Sequence, residues 1–444
     1  MKLNIARILR NGNVSSLTSS LIFSVSGFFS FVLLSQSIPP ESFGGWILFL
    51  SLSSMTDLIR NGMTRAAIIH YASGGPVGKL REIGASGLWL DIILLSGISV
   101  ICLGAYFAGY SYWNESIRLF FIGYPFLGFS NMLWNNALSR LQAQELYHKT
   151  IGMRLIQTLS FLVFCLILVY YGLARLPELV FAYVISNVLS SVYVLLKHWL
   201  SISDLKILER KTIIQHWHYG KYAVGSMLSS SLLKSSATYI IGLSPVLGLT
   251  GISIFSIPFK TVEILEIPIR SLSLNAFNRI SVAYRDGVGS QIRALYIRYT
   301  IYILALTIPM LIGMSLLPDL VLGILGGKQY LPYWETMRIL LWLIVPYTIL
   351  LVFDRLLGVT MEGIGLPRLN MIKTLLMTLS SIIGNLIAVF VFKSIIGVAI
   401  SSIFFTIIGI FAGYWMLPRV YRINWREYKD ILHTFRIKKE KVTD

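Results

Sequence analysis

Apolar runs of about twenty residues recur from one end of the chain to the other, divided by short polar turns, and that length crosses a bilayer as helix. Twelve runs predict twelve spans: Val14–Ile38, Phe43–Tyr71, Ile83–Ala108, Ile117–Leu146, Ile151–Gly172, Pro177–Trp199, Tyr219–Leu243, Leu249–Ile280, Ile297–Leu317, Trp334–Met361, Leu369–Phe392 and Ile395–Pro418. The second, fourth and eighth are longer than a bilayer needs and continue as amphipathic extensions. Strand-type alternation is absent, which argues against a barrel. The pattern therefore predicts an all-α integral membrane protein.

Composition agrees. Of 444 residues 55% are hydrophobic and 13% charged, about half the charge of a soluble domain. That is too little to clothe a water-facing surface.

Charge then sets the direction of threading. With the N-terminus cytoplasmic, the outer ends hold Glu41, Glu115, Arg118, Arg175, Glu178, Asp319, Lys328, Glu335, Arg338 and Lys393. These sum to zero, so the remainder carries the whole net charge of +18. This is the positive-inside distribution, and it predicts that both termini are cytoplasmic. Aromatic residues mark the interfaces: Tyr110, Tyr112 and Trp113 outside, Trp199, Trp217 and Trp425 inside. Because the basic residues lie between apolar runs rather than on one face, nucleic acid is not the expected partner. The basic segment Met1–Asn13 leads into the first span without a small-residue cleavage site and is read as part of a retained first helix.

The polar stretch 200–218 divides the chain almost equally, and the halves resemble each other. Ser19-Ser20-Leu21 matches Ser230-Ser231-Leu232, Gly45 matches Gly251, and at that same offset Asp57 falls on Glu263. Arg154 with Thr158-Leu159-Ser160 matches Lys373 with Thr378-Leu379-Ser380. Six spans per half make the repeat parallel, as in transporters with two pseudo-symmetric lobes around a central cavity. The expected organisation is an N-terminal six-helix lobe (1–199), a cytoplasmic linker loop (200–218), a C-terminal six-helix lobe (219–418) and a basic cytoplasmic tail (419–444). The tail, with Arg422, Arg426, Lys429, Arg436, Lys438, Lys439 and Lys441, is read as a segment lying on anionic lipid.

Charges inside the spans carry the functional signal, since each costs about 2.5–3.5 kcal/mol or more in hydrocarbon unless it faces protein or water. The second span holds Asp57 and Arg60, the seventh Lys234, the eighth Lys260, Glu263, Glu266 and Arg270, and the tenth Asp354 and Arg355. Asp57 and Arg60, Lys260 and Glu263, and Glu266 and Arg270 are three or four residues apart and can pair on one helix face. Lys234 has no acid at such a spacing, so another helix or a ligand must satisfy it. Asp91, close to the inner end of the third span, reads as solvated. Lys234, Arg60, Lys260, Arg270 and Arg355 are candidate binding groups for an anionic substrate, phosphate above all. Asp57, Glu263, Glu266 and Asp354 are candidates for charge pairing or for a coupling H⁺ or Na⁺.

No signature of catalysis accompanies these charges. Cys102 and Cys165 sit in apolar runs without metal-ligand spacing. The six histidines are dispersed over inner ends, loops and tail. Gly74-Gly75-Pro76-Val77-Gly78-Lys79 lacks the preceding strand a phosphate loop requires. No resident cofactor is expected.

Twelve spans in two lobes with short outer loops resemble the multidrug/oligosaccharidyl-lipid/polysaccharide (MOP) exporter superfamily. Within it the chain is most similar to the bacterial polysaccharide transporters, the Wzx-type flippases of lipid-linked oligosaccharides. The local carriers are Asp57 through Gly62-Met63-Thr64-Arg65 to Tyr71-Ala72-Ser73, Gly248 with Gly251, Pro318 through Gly323, Gly326-Gly327 with Tyr330, and Gly365-Leu366-Pro367. The resemblance implies a flippase that carries an undecaprenyl-diphosphate-linked glycan from the cytoplasmic to the periplasmic leaflet of the bacterial inner membrane by alternating access, for O-antigen, capsule or exopolysaccharide. Polysaccharide polymerase machinery is an implied partner. One departure stands out: relatives often carry an Asp in the seventh span shortly before an Ile-Gly pair, whereas here Ala237 precedes Ile241-Gly242 and Lys234 lies one turn earlier. The alternatives are a multidrug or cation antiporter of the same superfamily, for which the cations at 60, 234, 260 and 270 are unsuited, and a membrane-embedded polysaccharide polymerase or ligase, which needs a larger outer loop than this chain has.

Overall fold

A computed structural model describes residues 12–73, 76–200, 202–207 and 209–422. Each of the twelve spans corresponds to a long helix: α1 (Gly12–Ser37), α2 (Pro40–Ala72), α3 (Val77–Ala108), α4 (Glu115–Ala143), α5 (Tyr147–Tyr170), α6 (Leu176–Leu196), α7 (Arg210–Gly242), α8 (Gly248–Arg285), α9 (Gly289–Leu316), α10 (Trp334–Gly363), α11 (Pro367–Leu386) and α12 (Ile395–Met416). No strand occurs among the described residues. Eight of the helices are long and apolar enough by themselves to cross a membrane, which makes this a multi-pass membrane protein. α1, α4, α7 and α8 are not among the eight.

Local chemistry sets the helix ends. Proline opens α2 and α11 at the first turn, where no donor is lost. The Asn114 side chain accepts from the Ile117 amide at 2.9 Å to start α4, and Ser394 accepts from Gly397 at 3.2 Å to start α12. The loop after α9 folds into a short helix, Pro318–Gly326, that the span pattern did not separate. It ends at Gly327, whose φ of 72° only glycine adopts freely. Arg338 at the start of α10 grips Asp319 with two hydrogen bonds of 2.7 and 2.8 Å, and the Trp334 indole adds a third at 2.6 Å. Tyr330 is fully buried beneath this turn. The Gly326-Gly327 and Tyr330 signature is thus the seat of a packed turn between α9 and α10.

The chain forms two compact units, dividing between Ser231 and Leu232. That division falls inside α7, later than the polar stretch 200–218. Residues 210–218 are already helical, and the Tyr219 ring stacks on His70 of α2 at 4.5 Å, so the first half of α7 belongs to the first unit. In the first unit α4 packs on α2, α3 and α6, and α5 packs on α1 and α6. In the second α10 packs on α8, α9 and α12, and α11 packs on α12. Adding six to each label of the first set reproduces the second. Ser236 of α7 completes the correspondence, meeting Ser381 at 3.0 Å and accepting from Asn385 of α11 at 3.2 Å, as α1 meets α5. The parallel repeat read from scattered sequence matches is therefore a repeat of packing.

Arg422 lies at the end of the described chain. Its guanidinium donates to the carbonyls of Leu417 (2.8 Å) and Trp415 and so caps α12. The remaining tail residues, 423–444, and residues 1–11 lie outside the described residues.

Candidate functional site

Two clusters of charge lie within spans, one in each unit, and they differ in kind.

In the first unit Arg60 is completely buried. Its Nη2 donates to Asp57 at 2.9 Å, one turn back on α2, and to the Asn131 side-chain oxygen of α4. Its Nη1 donates to Asp91 of α3 at 3.2 Å and to the Gly128 carbonyl at 3.1 Å. The carboxylate of Asp57 accepts in turn from the Tyr124 hydroxyl at 3.0 Å and from Asn131 Nδ2 at 2.8 Å. One guanidinium therefore bridges two carboxylates and ties three helices together. Asp91 is only 2% exposed, not solvated as its place in the sequence suggested. The reason is that α3 starts at Val77, before the apolar run begins, which carries Asp91 about 21 Å along the helix. Asn131 and Tyr124 gave no sequence signal, since polar residues in so long a span have many roles.

In the second unit α8 has 38 residues, so at about 1.5 Å per residue Glu266 stands near its midpoint, about 27 Å from either end. Pro258 and Pro268 bracket this stretch, each removing one backbone hydrogen bond. Lys260 donates to Glu263 at 2.6 Å. Arg270 pairs with Glu266, and Lys234 of α7 reaches the same carboxylate at 3.4 Å. The partner that Lys234 lacks on its own helix is thus on α8. The Lys234 and Arg270 side chains remain 62% and 56% exposed on the surface of their unit.

On α10, Asp354 accepts from Lys373 of α11 at 2.6 Å, and Lys373 is buried. Lys373 entered the sequence reading only as a repeat match. Arg355 beside it is exposed. The expected residues therefore separate. Arg60, Asp57 and Asp354 lie in interior networks, while Lys234, Lys260, Glu263, Glu266, Arg270 and Arg355 are arranged along α7, α8 and α10, the first five in two adjacent ion-pair groups. Among the described residues no three His, Cys, Asp or Glu side chains group as metal ligands would.

A third network lies at the cytoplasmic end expected for the first unit. Asp204, 2% exposed, accepts from Arg140 of α4 at 2.7 Å and from Arg81 of α3 at 2.5 Å. Burial raises the Asp204 carboxyl, but the hydrogen bonds and charges of the two arginines outweigh this and hold it below the ordinary carboxylate value.

No family model matches the chain, and no curated protein does. Solved structures do. A multidrug resistance MATE family transporter of the MOP superfamily, in its inward-facing form, aligns with a TM-score of 0.72 at 15% identity over 90% of this chain and 97% of its own. The lipid II flippase MurJ aligns at 0.70 and 15% identity over 94% and 89%. A MOP superfamily transporter from Pyrococcus furiosus, described as having a binding pocket of reversed polarity, aligns at 0.55 and 16% over 92% and 97%. This chain has the fold of the MOP superfamily transporters.

Proposed function

We propose that the protein is a MOP-superfamily transporter that flips a lipid-diphosphate-linked oligosaccharide across the cytoplasmic membrane of a bacterium, from the cytoplasmic to the periplasmic leaflet, by alternating access. The observation that carries the reading is the exposed pair Lys234 and Arg270, both well inside their helices, two cations to one carboxylate. Charges facing hydrocarbon there would make insertion very costly, so this face serves a wet, anion-attracting surface. A diphosphate matches it, because its oxygens accept from both ammonium and guanidinium groups. The lipid tail needs no protein site. Arg355, exposed on α10, adds a further cation. Arg60, sealed on all sides by Asp57, Asp91, Asn131 and Gly128, serves the interior of its unit instead. Asp57 in that network is the place we assign to a coupling H⁺ or Na⁺. The glycan, a polymerase partner and the cytoplasmic position of both termini belong to the same reading.

The multidrug alternative draws on Glu263, whose side chain is 66% exposed and would suit a cation. One experiment separates the two. Proteoliposomes containing the protein are loaded with a fluorescent undecaprenyl-diphosphate oligosaccharide or with a cationic dye. Flipping of the lipid without dye export is the expected result. Dye export without lipid flipping would establish the multidrug reading in its place.

A further inference from the structure

Lys234 Nζ and Arg270 Nη2 address the same atom, Oε2 of Glu266, from different helices. Exposure is divided unequally among the three: 62% for Lys234 and 56% for Arg270, but 17% for Glu266. The carboxylate thus sits back against the protein, and the cations stand in front of it with donors to spare. An ammonium has three N–H bonds and a guanidinium five, and one oxygen engages few of them.

A single anionic oxygen bridging an ammonium and a guanidinium is also what a bound phosphate oxygen does. The neighbouring charges do not perturb the comparison. Lys260 pairs with Glu263 along α8, and Lys373 with Asp354 between α10 and α11. Two cations also share Asp204, but Arg140 there is buried, whereas at 234, 266 and 270 both cations are exposed.

Resting on the reading of the substrate as a lipid diphosphate, we propose that Glu266 is an internal stand-in for the headgroup. With the site empty it holds Lys234 and Arg270 together against their mutual repulsion. When a diphosphate arrives it competes with Glu266 for the same donors, and Glu266 retakes them as the headgroup leaves. Such competition limits affinity and speeds release, and a transporter requires both.

The test is direct binding to purified protein in nanodiscs, titrated in parallel with undecaprenyl diphosphate and with inorganic pyrophosphate. Glu266→Gln keeps the shape and removes the competing charge. It should tighten binding of the lipid diphosphate about tenfold or more, the scale of a charge-assisted hydrogen bond, while flipping slows because release does. Glu266→Asp retains the charge but is too short to bridge both cations, and should tighten binding by about threefold. It decides the matter if the Gln variant does not accumulate. Unchanged or weaker binding in a folded variant, with wild-type protein binding the lipid, would overturn the stand-in role alone. Wild-type protein that binds neither ligand would overturn the lipid-diphosphate reading and this inference with it. Equal affinity for pyrophosphate and lipid would keep the role of Glu266 but remove the lipid from it.

Discussion

Arg140 Nη1 lies 2.7 Å from Asp204 Oδ2, and both residues are buried, although Asp204 belongs to the polar stretch that leads from α6 to α7. That stretch is therefore not a free tether. A short turn, Ile202–Lys206, is seated on α3. Trp89 holds it through the Leu205 carbonyl at 2.9 Å, and Asn136 orients Arg140 at 2.8 Å. Gly84 makes room, since a Cβ there would collide with the Arg140 guanidinium.

Breaking this seat should destabilise the first unit. Asp204→Asn leaves two arginines without their anion and should cost about 3–5 kcal/mol, the usual penalty for orphaning a buried charge. Gly84→Ala should act in the same direction by displacing Arg140. The sign with pH follows from the lowered carboxyl of Asp204. Its stabilisation is full above the ordinary carboxylate value of about 4 and is lost as pH falls through the lower folded value. Thermal unfolding in detergent should show a melting difference between wild type and Asp204→Asn that is large at neutral pH and shrinks in acid. A difference independent of pH would contradict the assignment.

Lys234→Ala removes a side chain that is mostly exposed, so the protein should insert and melt normally. Flipping of labelled lipid-linked glycan in proteoliposomes should fall at least about tenfold, the weight of one charge-assisted contact. Lys234→Arg should keep part of the activity, because the contact depends on charge more than shape. Full transport by the alanine variant would remove Lys234 from the substrate surface.

Arg60→Ala confronts Asp57 with Asp91 in the interior. The expected loss is again about 3–5 kcal/mol, visible as poor accumulation or a much lower melting temperature. Arg60→Lys should rescue little, because one ammonium cannot replace a planar fork that reaches Asp57, Asn131, Asp91 and Gly128 from two nitrogens. Asp91→Asn should be milder than Arg60→Ala, since one carboxylate then faces one guanidinium. Equal melting of Arg60→Ala and wild type would show that the network carries no stability.

The threading direction can be tested on single cysteines. Lys206 and Lys328 are both exposed, the first in the turn on α3 and the second beyond Gly327. Native Cys102 and Cys165 are buried and should label poorly. A membrane-impermeant thiol reagent added to intact cells should modify Lys328→Cys at once and Lys206→Cys only after lysis. Labelling of both from outside would refute the positive-inside threading.

What the sequence by itself determined is the set of twelve helices and their pairing into two matching halves. Apolar runs of bilayer length are helices because hydrocarbon offers the backbone no other hydrogen-bond partners. The run is read from the residues alone, so Trp334–Met361 and Ile395–Pro418 fell within a few residues of α10 and α12. Pairs on one helix, such as Lys260 with Glu263, were equally legible, because helical spacing places them on one face. Tertiary structure alone decided which charges are interior and which are presented. Arg60 and Arg270 look alike in sequence, each one turn from an acid, but Arg60 is sealed by residues of α3 and α4 whereas Arg270 stays open. The partner of Lys234 lies 32 residues away on α8, and those of Asp204 lie 64 away on α4 and 123 away on α3. Such contacts depend on how helices cross, which follows from the packing of whole faces and not from the spacing along any one of them.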